Sequence, residues 1–331
     1  MRRSSGNPIG GWFVCLLSLI SVVHCASFDG RVSETNDPER SSDINTVLPK
    51  STLENEYNKC GNRNIDGIGF DDRSLTDWDA KYGEFPWLVA ILLEKTDPTG
   101  ETQRNYICGG SLIQPDVILT AAFCVLNRNA TSISVRAGEW DFQSTLEPYP
   151  HQDRQVKHIT IHEDYNQTSQ ANCLALLFLD SPFELEPNIQ TICLPAQGTV
   201  FSDQKCTASG WGKHKVSPVV GISAIPKKLE LPVVDNEACQ TALRTTKLGS
   251  SFALHDTFLC AGGQPDVDTC LGDGGAPLAC PMPDQPDRFV QAGIVAWGVG
   301  CGMEGLPGVY TSVSVFTDWI NRKIEGQNGV L

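Results

Sequence analysis

Cysteine is the residue type in this sequence that carries the most chemical information. The chain has 331 residues, and 13 of them are cysteines. A thiol can form a disulfide or, as a thiolate, act as a nucleophile, and the compartment decides which is expected. So many cysteines are unusual in a reducing cytosol. We therefore expect an oxidising compartment and a framework of disulfides.

The composition narrows the class of partners. Asp and Glu number 39 against 25 Lys and Arg, which gives a formal net charge of −14. This balance disfavours a nucleic-acid backbone or an anionic membrane surface as the main partner, and leaves protein surfaces and cationic substrates open. Apolar residues make up 40% of the chain, with 30 Gly and 20 Pro. That composition suits one large domain or two small ones, but no helical bundle.

The first 25 residues predict a secretory signal peptide. Arg2 and Arg3 precede an apolar run at 12–23, and small residues lie near its end. The run is too short to cross a bilayer and suits a signal with cleavage after Cys25; a signal anchor is the alternative. We expect a secreted, extracellular chain without a membrane span.

Two regions that differ in amino-acid composition follow. Residues 26–59 contain neither Cys nor Trp and are rich in Ser, Asn, Asp and Glu. We expect them to form a disordered acidic segment, because they cannot bury enough apolar surface to offset the entropy of ordering.

From Cys60 onward, short apolar runs alternate with Gly, Pro, Asn and Asp, and the clearest lie at 87–93, 133–135, 174–179 and 289–297. This spacing predicts an all-β barrel or sandwich. Helical patterns occur at 236–244 and 315–324.

Five motifs occur in a fixed order: GEFPW at 83–87, CGGSLI at 108–113, TAAFC at 120–124, SGWG at 209–212 and CLGDGGAPL at 270–278. Together they resemble the chymotrypsin-like, or trypsin-type, serine protease family over residues 74–331. The resemblance implies an all-β domain of two packed six-stranded antiparallel barrels with a short C-terminal helix. This fold agrees with the many short strands predicted above.

The resemblance also implies a disulfide pattern. The expected pairs are Cys60–Cys193, Cys108–Cys124, Cys206–Cys280, Cys239–Cys260 and Cys270–Cys301. The first pair would tether a linker, residues 60–73, to the domain. Of the eleven cysteines outside the predicted signal peptide, Cys173 is the one left without a partner. It is either a small buried side chain or, as an odd cysteine in a secreted protein, the site of a disulfide to a partner chain.

At the catalytic positions implied by the resemblance, the residues of this sequence lack the catalytic side-chain groups. A serine protease needs a hydroxyl nucleophile, an imidazole base and a carboxylate that orients the imidazole. The matching positions are Gly274, Phe123 and Cys173. Of the six histidines, His24 falls in the predicted signal, which leaves five outside the motif: His151, His158, His162, His214 and His255. We expect no catalytic residues and no proteolytic activity.

A specificity pocket is nevertheless expected from the resemblance. Asp268 matches the acidic floor that selects Arg or Lys side chains, and Gly298 and Gly308 match its small walls. A buried carboxylate can hold a guanidinium through two hydrogen bonds, and the backbone N–H groups near Gly272 and Gly274 could bind an anion. Against this expectation, departures from the usual residues at 276 and 296 favour a collapsed pocket over an open one.

The resemblance also points to an activation site. Family members are cleaved after a basic residue, and the new Ile N-terminus pairs with the aspartate that matches Asp273. Counting back from Gly83 places the junction after Arg73, where Ser74 follows instead of Ile. We expect that cleavage at Arg73 would not order the pocket in the usual way.

Further motifs indicate a subgroup. They are CGNRN at 60–64, GIGF at 67–70, RAGEWD at 136–141 and PHQDR at 150–154. They resemble arthropod non-catalytic serine protease homologues of the masquerade-like and prophenoloxidase-activating-factor type. Those proteins often carry a clip domain with six cysteines. Because residues 27–59 have none, we expect no clip domain in this segment.

Two sequons, at Asn129 and Asn166, are candidate glycosylation sites in a secreted protein. Residues 139–153 match a loop that binds Ca²⁺ in some relatives. An ordinary acidic loop is favoured here, so we expect no metal and no cofactor.

The expected function is that of a secreted inactive homologue that binds or assists partners in an extracellular innate-immune cascade of the melanisation type. The expected partners are secreted proteases, prophenoloxidase-type proteins or inhibitors. One alternative is a decoy that binds Arg- or Lys-containing substrates or inhibitors through Asp268. Another is a structural protein linked covalently through Cys173. An active hydrolase is disfavoured by the lost triad.

Overall fold

The structure, a computed structural model, describes residues 59–69, 75–213 and 221–328. The predicted signal peptide, all but the last residue of the acidic segment, and the junction at Arg73 lie outside these residues, as does His214. Within them, no helix is long and apolar enough to cross a membrane.

Twelve strands form two closed barrels. The first barrel contains β1 Leu88–Thr96, β2 Thr102–Gln114, β3 Val117–Thr120, β4 Ile133–Ala137, β5 Gln152–Ile161 and β6 Ala175–Leu179. Its strand order is β1-β2-β3-β6-β5-β4, and the pairing of β1 with β4 closes it. The second contains β7 Lys205–Gly210, β8 Lys227–Val234, β9 Phe258–Gly262, β10 Pro277–Met282, β11 Gln285–Trp297 and β12 Pro307–Ser312. Its order is β10-β11-β12-β9-β8-β7, closed by β10 and β7.

All strand pairs within the two barrels are antiparallel, so the expected all-β fold of two six-stranded barrels is confirmed. Full closure leaves no free sheet edge in either barrel. The apolar runs of the sequence lie in the barrel walls. The run at 174–179 supplies β6, all of whose residues are buried.

Among the described residues, three α-helices connect or follow the strands: α1 Ala122–Val125, α2 Asn236–Arg244 and α3 Thr317–Asn328. The predicted helix at 236–244 is confirmed. It begins after Asp235, whose carboxylate accepts the N–H groups of Glu237 and Ala238. The C-terminal helix starts later than predicted, because a 3₁₀ turn, Val313–Val315, occupies the residues just before Phe316.

Five disulfides cross-link the chain, and they are the five pairs that the resemblance implies. The Cys60 segment is also hydrogen-bonded into the second barrel. Gly61 donates its N–H to the Thr191 carbonyl and accepts the N–H of Phe289, both at 2.7 Å. Gly61 has a φ of +82°, and a β-carbon there would lie 2.2 Å from the Phe289 carbonyl oxygen. Only glycine fits at this close approach.

Candidate functional site

The structure brings together the three positions that match the catalytic triad. Phe123 lies in α1, Cys173 precedes β6, and Gly274 lies in the loop before β10. A β-carbon built on Gly274 would stand 2.8 Å from Cζ of the Phe123 ring. The backbone N–H groups of Ala122 and Phe123 lower the pKa of the Cys173 thiol, which places them close to its sulfur. The three positions are therefore neighbours, although the first and the last are 151 positions apart in the chain.

This arrangement lacks the groups that acyl transfer needs. A phenyl ring can neither accept nor donate a proton, and glycine offers no nucleophile. Four of the five histidines outside the predicted signal lie in the described part of the chain: His151, His158, His162 and His255. None of these four lines the cavity beside Gly274.

The Cys173 thiol is fully buried, with 0% of its surface exposed. It donates to Oε1 of Gln170 at 3.5 Å. Burial raises the pKa of the Cys173 thiol to about 11, so the thiol stays neutral at physiological pH. A disulfide to a partner chain requires an accessible sulfur. The burial of Cys173 favours the alternative of a small buried side chain over that of a disulfide to a partner chain.

An open cavity of about 320 Å³ lies beside Phe123 and Gly274. The predicted pocket residues all line it: Asp268, Gly272, Gly298 and Gly308. This cavity favours an open pocket over the collapsed alternative.

Asp268 lies in the wall of this cavity and is only 6% exposed. Its Oδ2 accepts the N–H of Gly302 at 3.1 Å, whereas its Oδ1 is buried and has no hydrogen-bond partner among the described residues. Burial raises the pKa of the Asp268 carboxyl to about 6. A β-carbon at Gly308 would stand 3.0 Å from Oδ1, so glycine there leaves the unpaired oxygen uncovered. An unpaired buried acceptor of this kind favours a donor supplied by a ligand.

The loop at 270–275 contains the backbone donors expected from the sequence. The N–H groups of Gly272 and Gly274 donate no hydrogen bond to any residue that the structure describes. The Tyr106 hydroxyl, from β2 of the first barrel, donates to the Gly272 carbonyl at 2.8 Å. The first barrel thereby helps to hold a loop that belongs to the second.

Asp273 is the buried centre of the same loop. Its Oδ1 accepts the N–H of Gly212, and its Oδ2 accepts the N–H of Cys270, both at 2.8 Å. Oδ2 also contacts Nζ of Lys227 at 2.7 Å, and both side chains are only 1% exposed. A β-carbon at Gly212 would lie 2.3–2.5 Å from the Asp273 carboxylate, so only glycine fits there.

Sequence reasoning missed Lys227, although a signal was present. Strand β8 has the sequence KKLELPVV, and every second residue, starting with the first, is buried. Lys227 shares this inward face with Leu229, Leu231 and Val233, which is an unusual place for a lysine.

The acidic loop at 139–153 is paired with an arginine. Arg136 contacts Oδ1 of Asp153 at 2.8 Å and Oε2 of Glu139 at 3.0 Å. Over the described ranges, no group of three or more His, Cys, Asp or Glu is placed to hold a metal ion. Both sequon asparagines, Asn129 and Asn166, are exposed.

Comparison with known proteins agrees with this architecture. The trypsin family model matches residues 78–320. A phenoloxidase-activating factor 2 of Galleria mellonella is 48% identical over 284 residues, which are 84% of this chain and 93% of the relative. The chain belongs to the trypsin family, as a homologue of the phenoloxidase-activating-factor and masquerade type.

Other relatives of this trypsin-type homologue support the subgroup. An inactive CLIP domain-containing serine protease A28 of Anopheles gambiae is 36% identical over 89% of this chain and 74% of the relative. Protein masquerade of Drosophila melanogaster is 34% identical over 76% of this chain, but the match covers only 23% of masquerade. The family and subgroup predicted from the motifs are confirmed.

Proposed function

We propose that this chain is a secreted, catalytically inactive protease homologue that binds or assists partners in an extracellular proteolytic cascade. The observation that carries the proposal is the contact between Phe123 and Gly274. The ring of Phe123 occupies the space that a nucleophilic side chain at 274 would need, and it replaces the base. A fold that keeps its barrels, disulfides and cavity without a nucleophile is suited to binding rather than turnover.

The cascade is proposed from the relatives. The Galleria relative is a phenoloxidase-activating factor, and the Anopheles relative is an inactive serine protease. By analogy, the partners of this chain are secreted proteases, prophenoloxidase-type proteins or their inhibitors. The five disulfides support an extracellular site of action.

Two assays on the purified full-length chain test this function. The first measures hydrolysis of a chromogenic Arg-amide, and we expect no turnover. The second adds the chain to a prophenoloxidase and its activating protease, and we expect more phenoloxidase activity than the protease alone produces. Arg-amide turnover that is lost on substitution within 268–276 would contradict the proposal, and so would the absence of any effect in the second assay.

A second candidate function, a decoy for Arg- or Lys-bearing proteins, is favoured by the unpaired oxygen of Asp268. Benzamidine presents a planar cation that fits such a carboxylate. Titration calorimetry should detect benzamidine binding by the wild-type chain and a loss of binding in Asp268→Asn. The matched control is Asp256→Asn, because the Asp256 side chain is 92% exposed on the surface. Equal affinity of the wild type and Asp268→Asn would exclude this function.

A further inference from the structure

Lys227 places a buried positive charge behind the cavity wall. Its ammonium has three hydrogen-bond donors and three oxygen neighbours. These are Asp273 Oδ2 at 2.7 Å, the Lys213 carbonyl at 2.5 Å and the Asp268 carbonyl at 3.4 Å. A buried ammonium is tolerated when it is both paired with an opposite charge and hydrogen-bonded, and Lys227 meets both conditions.

The ammonium joins a rigid strand to the segment that lines the cavity. On the strand side, Lys227 is the first residue of β8 and pairs with Gly210 of β7. On the cavity side, it contacts the Asp268 carbonyl and the Asp273 carboxylate, which flank the lining residues 269–272. The segment is therefore fixed to the second barrel at both ends through one side chain.

Asp273 extends this connection into the loop. Its carboxylate accepts the backbone N–H of Cys270 within the segment and of Gly212 beside it. These hydrogen bonds are strong because the acceptor is charged. A cation beside Asp273 stabilises that charge in a buried site. Loss of the cation would leave the Asp273 carboxylate buried without its opposite charge, which favours its movement toward solvent and weakens the hold on the loop.

We infer that Lys227 is a positioning residue that keeps the cavity open in the uncleaved chain. In the resemblance, the cation beside the matching aspartate is a new N-terminus made by cleavage. In this chain an internal side chain supplies it, so the pocket is formed without a cut after Arg73. This inference deepens the second candidate function and rests on the proposed binding of a basic side chain by Asp268.

The neighbouring lysine provides a matched control. Lys228 is the next residue of β8, but it contacts Glu84 at 3.1 Å and is 23% exposed. Lys227→Met and Lys228→Met therefore remove the same charge from the same strand, on opposite faces. A third variant, Lys227→Gln, loses the charge but keeps a hydrogen-bond donor. It replaces Lys227→Met in the comparison if Lys227→Met is not secreted.

The first measurement is benzamidine affinity of the intact full-length chain by calorimetry. We expect Lys228→Met to bind like the wild type, and Lys227→Met or Lys227→Gln to bind at least about tenfold more weakly. The wild type cut after Arg73 should bind as the intact chain does. Wild-type affinity in the Lys227 variants would overturn the inference. Binding that is about tenfold tighter after the cut would also overturn it.

The second measurement does not depend on benzamidine. Hydrogen exchange of the amides at 270–275 should be at least about tenfold faster in the Lys227 variants than in Lys228→Met, while the strands of the second barrel keep their protection. Unchanged exchange at 270–275 would overturn the role of Lys227. If the wild type does not bind benzamidine, the proposed binding function fails, and the exchange comparison still decides the role of Lys227.

Discussion

Phe123 and Gly274 form one packed arrangement in which each residue depends on the other. A β-carbon at Gly274 would lie 2.8 Å from Cζ and 2.9 Å from Cε2 of the Phe123 ring. Carbon atoms do not approach this closely without displacement, so the ring can keep its place only while residue 274 is glycine. The identities of residues 123 and 274 are therefore structurally coupled.

Restoring the nucleophile alone should not restore activity. We expect Gly274→Ser to show no Arg-amide turnover and to lower the free energy of unfolding by about 1–3 kcal/mol, because the new side chain overpacks against Phe123. A thermal or denaturant melt measures the second effect. Arg-amide turnover by this single variant would contradict the interpretation of the site.

Restoring all three groups should recover measurable turnover. In Phe123→His/Cys173→Asp/Gly274→Ser, the ring clash is relieved, and the new carboxylate lies beside the N–H groups of residues 122 and 123. We expect Arg-amide hydrolysis above the wild-type background. The control adds Asp268→Asn to the triple variant, which should weaken the hydrolysis. A folded triple variant without turnover would show that the loop at 270–275 is unsuited to catalysis.

Cys173 should be inert in the native protein. The sulfur is inaccessible and its raised pKa of about 11 keeps the thiolate scarce, so we expect no reaction with iodoacetamide at pH 8. Labelling after unfolding should then modify the thiol. Ser251→Cys, at an exposed position, is the control that should react in the native state. Native labelling of Cys173, or a dimer on a non-reducing gel that Cys173→Ser removes, would contradict its burial.

The ionised Asp268 carboxylate should lower the free energy of unfolding at neutral pH. Its folded pKa of about 6 lies above the ordinary value of 3.8, so the folded state binds the proton more tightly. Stability then falls as the pH rises from about 4 to about 6, and the penalty is complete above about pH 6, at no more than about 3 kcal/mol.

We therefore expect Asp268→Asn to be more stable than the wild type at pH 7.5, with a difference that shrinks toward pH 4. Thermal melts at the two pH values measure it. Benzamidine affinity of the wild type should fall about tenfold per pH unit below the pKa, since the cation needs the ionised carboxylate. A pH-independent affinity between pH 5 and pH 7 would contradict this assignment.

Cleavage after Arg73 should leave the N-terminal segment attached. The disulfide Cys60–Cys193 joins the two sides of that junction across a sequence separation of 133. We expect the cut chain to run as one band on a non-reducing gel and as two bands after reduction. Cys60→Ser/Cys193→Ser should separate into two bands without reduction. Separation of the cut wild-type chain before reduction would show that the bridge is absent.

Much of the fold was accessible from the sequence because its signals are local. Short apolar runs between turn residues predicted the strands, and ordered motifs predicted the two barrels and the disulfide pairs. The start of the C-terminal helix was misplaced because a 3₁₀ turn, Val313–Val315, continues the apolar pattern without being part of the helix. The seven triad and pocket positions were assigned from the family resemblance: Phe123, Cys173, Gly274, Asp268, Gly272, Gly298 and Gly308.

The sequence by itself determined which chemical groups are present: no imidazole at 123, no hydroxyl at 274, an acid at 268 and a thiol at 173. Only the tertiary structure decided how these groups meet. The contact of Phe123 with Gly274 and the ion pair of Lys227 with Asp273 each join segments far apart in the chain. Such contacts depend on barrel closure and on the distances between side chains, and no local pattern encodes them.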